Sequence, residues 1–206
     1  MDALPDLLGR CPALRACEGE ILRALELLLA CYRNGGKVLT CGNGGSAADA
    51  EHIVGELLKK FKRHRDVDPA VAERLPADLV VKLEGALPAV SLVSMSGILT
   101  AFANDVSWET AFAQQVLGLG RPGDVLIALS TSGNSANCVN AALVAKAKGM
   151  KVISLTGQDG GRLSALSDAA VRVPETETYR VQELHLPVYH ALCAAVEEAL
   201  FSPAAS

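Results

Sequence analysis

The sequence predicts an α/β protein in which a parallel β-sheet lies between two layers of helices, a three-layer α/β/α sandwich. Short apolar runs typical of β-strands alternate with stretches of helical periodicity along most of the chain. The runs are continuously apolar, which is the pattern of strands buried on both faces of a sheet. Most of them end at Gly, Ser, Asn or Pro, as expected where a strand leads into a loop.

The predicted elements follow in order. Leucines and isoleucines at helical spacing predict N-terminal helices from about residue 7 to 32. A long, mostly apolar helix is predicted from about 179 to 201, with a kink at Pro187 because proline removes a helical hydrogen bond. Charged residues, prolines and a glycine at about 65–87 predict an excursion from the sheet. The predicted strands are 37–41, 89–93, 124–129, 151–155 and 170–173.

Length and composition predict one domain over residues 1–206, because 206 residues with 50% hydrophobic side chains can bury one substantial core. Within it, residues 1–35 are interpreted as N-terminal helices for oligomer contacts and about 65–87 as an insertion. The net charge is −4 and the basic residues are dispersed, which argues against a nucleic-acid partner. A short basic run at 59–65 is interpreted as a solvated helix end.

The cysteine and hydropathy patterns predict a cytoplasmic protein. The six cysteines form no CxxC pair and lack the density of a small secreted scaffold, so they are interpreted as reduced packing residues. No apolar run reaches the roughly eighteen residues of a membrane span. The sequence therefore predicts no export signal and no membrane segment.

Two loops at predicted strand ends have the chemistry of a phosphate site. The first is CGNGGS at residues 41–46, whose glycines permit close backbone approach before a helix. The second is STSGNS at 130–135, which places four hydroxyls around a helix start. In open parallel sheets, ligands gather at strand carboxyl ends, where helix N-termini offer unpaired N–H groups.

Each loop also has a simple structural alternative. GNGGS can be an ordinary strand-to-helix turn, and STSGNS can be a Ser/Thr-rich helix cap. Neither loop fits a Walker loop, which needs a lysine after its glycine, or the dinucleotide GxGxxG pattern. The presence of both loops in one chain favours a phosphosugar ligand.

Titratable side chains follow the first loop. His52 and Glu56 are four residues apart and share one helix face, where they can bind a divalent metal ion or act as a proton-transfer pair. An exposed i,i+4 polar pair is the alternative. The C-terminal helix adds Gln182, Glu183, His185 and His190, polar residues in an apolar helix that require a ligand or buried hydrogen bonds. On spacing alone, His185 competes with His190 as a partner of Gln182.

The segments CGNGGSAADAEH, LSTSGNSANCV, MKVISLTGQDGG and VQELHL, with a following histidine, resemble the sugar isomerase (SIS) fold and specifically the phosphoheptose isomerases. The resemblance covers nearly the whole chain in the family's order and spacing. It implies a flavodoxin-like sheet of five parallel strands with N-terminal helices, and a homotetramer. It also implies an aldose–ketose isomerase that converts sedoheptulose 7-phosphate to D-glycero-D-manno-heptose 7-phosphate or a closely related heptose phosphate.

The resemblance also implies roles for single residues. Glu56 matches the family's base, His190 its partner acid/base, and one zinc ion per site would be held by His52, Glu56, Gln182 and His190. Gln182 and His190 are about 12 Å apart along a straight helix, so one ion reaches both only with inward-leaning side chains, a kink or a neighbouring chain. The implied substrate-binding residues are Asn43, Gly44, Gly45, Ser46, Asn104, Asp105, Ser130, Thr131, Ser132, Ser135 and Gln182.

The chain departs from the family pattern in two places, so the resemblance identifies the exact substrate less well than it identifies the reaction. These are residues 94–96, Ser-Met-Ser where the family often has Thr and Asp, and the residues at about 65–87. A rival interpretation is a non-catalytic SIS protein of the replication-initiator-associating type, which would not need the His52, Glu56, Gln182 and His190 set. A second rival, a sugar-phosphate sensor that controls transcription, requires a DNA-binding domain for which this chain has no room.

Overall fold

The computed structural model describes residues 3–201 and confirms the α/β/α sandwich. Within this range, five parallel strands form one sheet in the order β2-β1-β3-β4-β5. The strands are β1 (Val38–Cys41), β2 (Ala89–Ser91), β3 (Val125–Leu129), β4 (Lys151–Thr156) and β5 (Ala169–Arg172). After β2 the chain crosses back to the other side of β1. The sheet therefore has a topological switch point between β1 and β3, where ligands bind in folds of this kind.

Helices cover both faces of the sheet. They are α1 (Ala3–Arg10), α2 (Glu18–Arg33), α3 (Gly45–Leu58), α4 (Pro69–Ala72), α5 (Ala77–Val80), α6 (Ser96–Asp105), α7 (Ala111–Leu119), α8 (Ala136–Ala147), α9 (Gly161–Leu166) and α10 (Thr178–Phe201). Successive residues of a strand point to opposite faces. Val125 and Ile127 of β3 accordingly pack with α1, α2, α3 and α10, whereas Leu126 packs with α6 to α9.

The N-terminal region predicted to be helical consists of two α-helices joined by a 3-10 helix. A 3-10 helix at Pro12–Cys17 separates α1 from α2, because a proline favours the first helical position and restarts the chain there. The apolar stripe of α1, with Leu4, Leu7 and Leu8, is buried within the chain and packs in the same cluster as α10. Its apolar side chains therefore belong to the chain's own core.

The segment at 59–68 corrects the interpretation of the basic run as a solvated helix end. The helix α3 ends at Leu58, before the run. Arg65 is completely buried and forms an ion pair with Glu197 of α10, while Lys59, Lys60, Lys62 and Arg63 are exposed. A buried guanidinium requires a partner and saturated hydrogen bonds. The excursion that follows contains only short helices, α4 and α5, with no buried residue in either.

Three further features concern the chain as a whole. The helix α10 continues through Pro187 from Thr178 to Phe201. All six cysteines lie within the described residues and are free thiols. Between residues 3 and 201, no helix combines the length and apolarity that a bilayer crossing requires.

Candidate active site

The two predicted phosphate loops flank the switch point of the sheet. The first loop follows β1 and leads into α3, and the second follows β3 and leads into α8. Because β1 and β3 are paired neighbours, their carboxyl ends bring the loops together. The N-termini of α3 and α8 direct unpaired N–H groups and positive dipole ends toward this edge.

Glycines shape the first loop. Gly44 has φ +57°, a conformation that favours glycine, and forms the N-cap of α3. At Gly42, a Cβ atom would lie 2.4 Å from the carbonyl oxygen of Ser46, so the backbone folds back on itself there. At Gly45, a Cβ atom would lie 2.7 Å from Nε2 of Gln182. The amide of Gln182 therefore packs against the start of α3.

Hydroxyls line the second loop. The Oγ atoms of Ser130 and Ser135 are 2.9 Å apart, and Oγ of Ser132 accepts a hydrogen bond from the backbone N–H of Asn134. Ser132 is exposed, whereas Ser130 is buried. The loop thus offers the hydroxyl hydrogen of Ser132 and a hydroxyl pair beside the N-terminus of α8, an arrangement suited to phosphate oxygens.

Gly133 is expected to be the least replaceable residue of this loop. It has φ +66°, and a Cβ atom there would lie 2.0 Å from the backbone oxygen of Gly160. Gly133→Ala must therefore displace one of two backbone segments, and we expect it to destabilise the fold by about 2 kcal/mol or more. Urea unfolding tests this. The control is Gly55→Ala, at a helical position with open space, which should be neutral or stabilising by about 0.5–1 kcal/mol.

A pair of asparagines joins the first loop to α8. Asn43 Nδ2 donates to Asn137 Oδ1 at 2.9 Å, and Asn137 Nδ2 donates to Asn43 Oδ1 at 2.8 Å. Asn137 is buried. The reciprocal amide pair holds the two phosphate loops in a fixed relative position. Asn43, predicted to bind the sugar, therefore also has a structural partner.

His52 is the centre of a polar group farther along α3. Its Nε2 lies 3.2 Å from Oε1 of Glu56 and 3.4 Å from Nε2 of His190. Its Nδ1 lies 3.0 Å from the hydroxyl oxygen of Tyr189. The i,i+4 pair of α3 thus meets α10 within one chain. We call His52, Glu56 and His190 the acid/base group.

Tyr189 and Asp49 orient the imidazole of His52. Burial, and then the charge of Asp49, raises the pKa of Tyr189, so its hydroxyl keeps its proton and donates it to Asp49 Oδ1 at 3.1 Å. The same hydroxyl oxygen can then accept a hydrogen bond from Nδ1–H of His52, which leaves the Nε2 lone pair facing Glu56 and His190. Oε1 of Glu56 and Nε2 of His190 both lie close to this lone pair, so a proton or a cation is required between these acceptor atoms.

His190 lies in a half-buried environment between α10 and the segment after α3. Burial lowers its pKa, and the charge of His52 acts in the same direction. The ring of Phe61 packs against it, with ring centroids 5.4 Å apart. His190 lines an open cleft of about 210 Å³ together with Asp6 and Arg10 of α1. A neutral imidazole at this cleft can bind a metal ion or accept a proton.

The donor set of the acid/base group fits zinc in chemistry and in its two measured spacings. In a tetrahedral site with Zn–N and Zn–O distances of about 2.0–2.1 Å, neighbouring ligand atoms are about 3.3–3.4 Å apart. The distances of 3.2 and 3.4 Å from His52 Nε2 match this spacing. Within residues 3–201, no group of three or more His, Cys, Asp or Glu side chains is arranged so that it could hold a metal ion. The match to zinc therefore rests on the chemistry of the donors and on these two spacings.

Other predicted site residues lie apart from this group. Gln182 contacts Gly45, about two helical turns from the place where His52 meets His190. Asn104 donates to Asp105 at the end of α6, and neither residue hydrogen-bonds to the phosphate loops among the described residues. Gln182 is thus placed at the phosphate end of the site.

His185 is completely buried in the core. Among residues 3–201, neither of its ring nitrogens has a hydrogen-bond partner of ordinary geometry. Burial lowers the pKa of His185 to about 4, and the backbone of Thr156 acts in the opposite direction. It is therefore a neutral core residue five positions before His190.

Sequence reasoning missed the supporting residues. Asn137, Tyr189 and Phe61 each contact a predicted site residue, but an asparagine in a helix or an aromatic residue in an apolar stretch carries no signal by itself. Asp49 lies three residues before His52 on α3, and this spacing could have identified it. Ser94 of the divergent Ser-Met-Ser segment donates to Glu51 of α3 at 2.7 Å.

The fold and the hydroxyl-lined loops at its switch point define a sugar isomerase domain. The SIS domain family matches residues 13–86 and 78–157 of the chain. Two solved structures agree closely in fold: phosphoheptose isomerase GmhA from Neisseria gonorrhoeae, with TM-score 0.76 and 38% identity, and a phosphoheptose isomerase from Francisella tularensis, with TM-score 0.77 and 33% identity. Each comparison covers 92% of this chain and 91% of the other.

The sequences of curated relatives narrow this class to one family. The phosphoheptose isomerase of Rhodospirillum rubrum is 44% identical over 186 residues, which cover 90% of this chain and 89% of the relative. That of a Shewanella species is 41% identical over 192 residues, or 92% and 88% of the two chains. The chain belongs to the phosphoheptose isomerase family and is an aldose–ketose isomerase.

Proposed function

We propose that this isomerase converts sedoheptulose 7-phosphate to D-glycero-D-manno-heptose 7-phosphate or a closely related heptose phosphate. The observation that carries the proposal is the placement of His52 and Glu56, two members of the acid/base group, on α3, the helix that begins at the first phosphate loop. One helix thus connects a phosphate-binding end with a proton-transfer end.

The distance between the two ends suits a seven-carbon sugar. Gly45 at the phosphate end and His52 are seven residues apart on α3, or about 10 Å. Six C–C bonds of about 1.5 Å give an extended heptose chain a contour of roughly 9 Å before the phosphate is added. A sugar held by its phosphate at residues 43–46 and 130–135 can therefore place its carbonyl end at the acid/base group.

The reaction moves one proton between adjacent carbons. Glu56 takes a proton from C1 of the ketose while His190 supplies a proton to the C2 oxygen, which gives an enediol. Return of a proton to C2 and loss of the proton on the C1 oxygen give the aldose. A zinc ion bound by His52, Glu56, His190 and a fourth donor would polarise the sugar oxygens. His52, whose Nδ1 is held by Tyr189, directs Nε2 toward both Glu56 and His190.

The direct test is a product assay with purified protein and a panel of ketose phosphates of five to seven carbons. We expect turnover of the heptulose phosphate, with the aldose identified by nuclear magnetic resonance, and much slower turnover of shorter sugars. Faster turnover of a shorter ketose phosphate would contradict the substrate assignment. Binding of phosphosugars without turnover would favour the non-catalytic alternative.

The second phosphate loop is expected to distinguish phosphorylated from unphosphorylated sugars. Ser132→Ala and Ser135→Ala each remove a hydroxyl that can donate to phosphate, so the affinity for the phosphorylated sugar should fall by about 1.5–3 kcal/mol per contact. Affinity for the unphosphorylated sugar should not change. Calorimetry with both ligands measures the difference. Equal weakening would mean that the loop is only a helix cap.

We also propose that the chain works as a cytoplasmic homotetramer, in which neighbouring chains cover the acid/base group. The support is exposure: the side chain of His52 is 42% exposed, and the cleft beside His190 is open. Proton transfer from carbon benefits from exclusion of water. Light scattering on the purified protein tests the oligomeric state, and a monomer with full activity would contradict the proposal.

Subunit mixing tests whether one chain holds the acid/base group. Glu56 and His190 both contact His52 of the same chain. Co-expressed Glu56→Gln and His190→Ala chains should therefore remain inactive in mixed oligomers, because every acid/base group lacks one member. Turnover assays on oligomers purified with two affinity tags measure this. Recovery to a quarter of wild-type activity would show instead that the two residues meet across an interface.

A further inference from the structure

We propose that Arg65, held by Glu197, is a positioning residue that fixes the end of α3 so that Glu56 meets His52 and His190. The inference rests on the proposed role of Glu56 as the base. It concerns two side chains that are both completely buried and that lie outside the acid/base group.

The guanidinium of Arg65 holds the last turn of α3. Its Nη2 donates to the backbone oxygen of Glu56 at 3.0 Å, and its Nη1 donates to that of Leu57 at 2.6 Å. The last carbonyls of a helix have no partner within the helix, so this turn needs donors from outside. Arg65 supplies them from a chain segment beyond the helix. One of the two carbonyls belongs to the proposed base itself.

Glu197 holds Arg65 and also the segment that contacts His190. Its Oε1 accepts from Nε of Arg65 and from the backbone N–H of Phe61, both at 2.7 Å. Its Oε2 accepts from the N–H groups of Lys62 and Arg63 at 2.8 and 2.9 Å. Although burial alone raises the pKa of Glu197, these donors lower it below its usual range, so the carboxylate is ionised.

The network therefore reaches both proposed catalytic groups by separate routes. Toward Glu56 the route is the main-chain hydrogen bond from Arg65. Toward His190 the route is Phe61, whose backbone is held by Glu197 and whose ring packs against the imidazole. Glu197 itself lies seven residues after His190 on α10, which is about two helical turns. One buried carboxylate thus links the ends of α3 and α10.

An arginine side chain suits the proposed positioning of Glu56 better than a lysine side chain would. A planar guanidinium presents fixed forked donors, whereas a lysine ammonium is a compact point charge on a flexible stem. The Arg65 group is further oriented by the ring of Phe201, with its central carbon 5.2 Å from the ring centroid. A buried ion pair by itself adds little net stability compared with apolar residues of the same volume, but it can specify one geometry.

The experiment compares Arg65→Lys, Arg65→Met and Glu197→Gln with a matched control, Asp124→Asn. Asp124 is also buried, and it accepts from a lysine and from the backbone N–H groups of Lys37 and Arg121. It lies at the amino ends of β1 and β3, away from the active-site edge. Kinetics are measured on folded protein at one temperature for all variants, at least about 20 °C below the lowest of their melting temperatures.

If Arg65 positions Glu56, Arg65→Met and Glu197→Gln should lower kcat by about 10- to 100-fold and change KM by less than about threefold. The reason is that a displacement of about 1 Å at a reacting group lowers the rate by a factor of this size. Arg65→Lys should recover part of the loss. Asp124→Asn should lower the melting temperature and leave kcat within about twofold of wild type. If Arg65→Met does not fold, the other two variants carry the test.

Two results would overturn the inference: kcat within twofold of wild type in folded Arg65→Lys and Glu197→Gln, or an equal loss of kcat in Asp124→Asn. In the Glu56→Gln background, Arg65→Lys should change the residual rate less than about twofold, because effects on one group are not additive. Wild-type turnover by Glu56→Gln alone would refute the base assignment and not the placement of Arg65. The two failures are therefore distinguishable.

Discussion

Glu56→Gln is expected to lower kcat by about 10²–10⁴-fold, the range that a positioned general base contributes. The amide keeps the size of the carboxylate and an acceptor oxygen for Lys59 Nζ, and its NH2 group can donate to the Nε2 lone pair of His52, but it cannot take a proton from carbon. Substrate affinity should therefore change little. Steady-state kinetics and calorimetry on the variant measure both quantities.

Glu51→Gln is the matched control for this prediction. Glu51 lies on the same helix, is exposed, and hydrogen-bonds Ser94 rather than a member of the acid/base group. Its replacement should leave kcat within about twofold, as expected for a surface substitution. Wild-type turnover by Glu56→Gln would mean that another group accepts the proton.

His52→Ala is expected to remove most of the activity and most of the zinc that we propose the acid/base group to bind. His52 contacts both other members of the acid/base group, so its loss separates Glu56 from His190 and deletes one proposed metal ligand. We expect kcat to fall by about 10³-fold or more and the metal content, measured by atomic emission, to fall with it. Added zinc should not restore the variant.

Two other variants calibrate the loss in His52→Ala. Tyr189→Phe removes only the hydroxyl that orients His52, so an intermediate loss of about 10- to 100-fold in metal affinity or activity is expected. His64→Ala replaces an exposed histidine paired with Asp66 and should have no effect. A His52→Ala protein with normal zinc content and turnover would exclude both the metal site and the acid/base group.

Most of the fold could be predicted because continuously apolar strands and glycine-rich strand ends are local signals. The structure has the five predicted strands, with ends that differ by up to two residues. Arg65 could not be placed from sequence. Its burial depends on Glu197, which is 132 residues away, and a basic residue in a charged run is normally solvated. The break between α1 and α2 at Pro12 is a local signal that helical periodicity alone does not register.

The site was predictable where its residues share one element. His52 and Glu56 meet because four residues make about one helical turn, and the loops meet because β1 and β3 are neighbours. The partners of the site come from distant segments and depend on tertiary packing. Tyr189 approaches His52 only because α10 runs beside α3. The roles of the loops, of zinc and of Gln182 stay predictions.

Isotope exchange tests the central claim most directly. The purified protein is incubated with sedoheptulose 7-phosphate in D₂O, and the aldose is examined by nuclear magnetic resonance. Proton transfer through Glu56 predicts a heptose 7-phosphate aldose that carries solvent deuterium at C2, and it predicts no exchange by Glu56→Gln under the same conditions. Absence of any aldose from the wild-type protein, or equal deuterium incorporation by Glu56→Gln, would contradict the account.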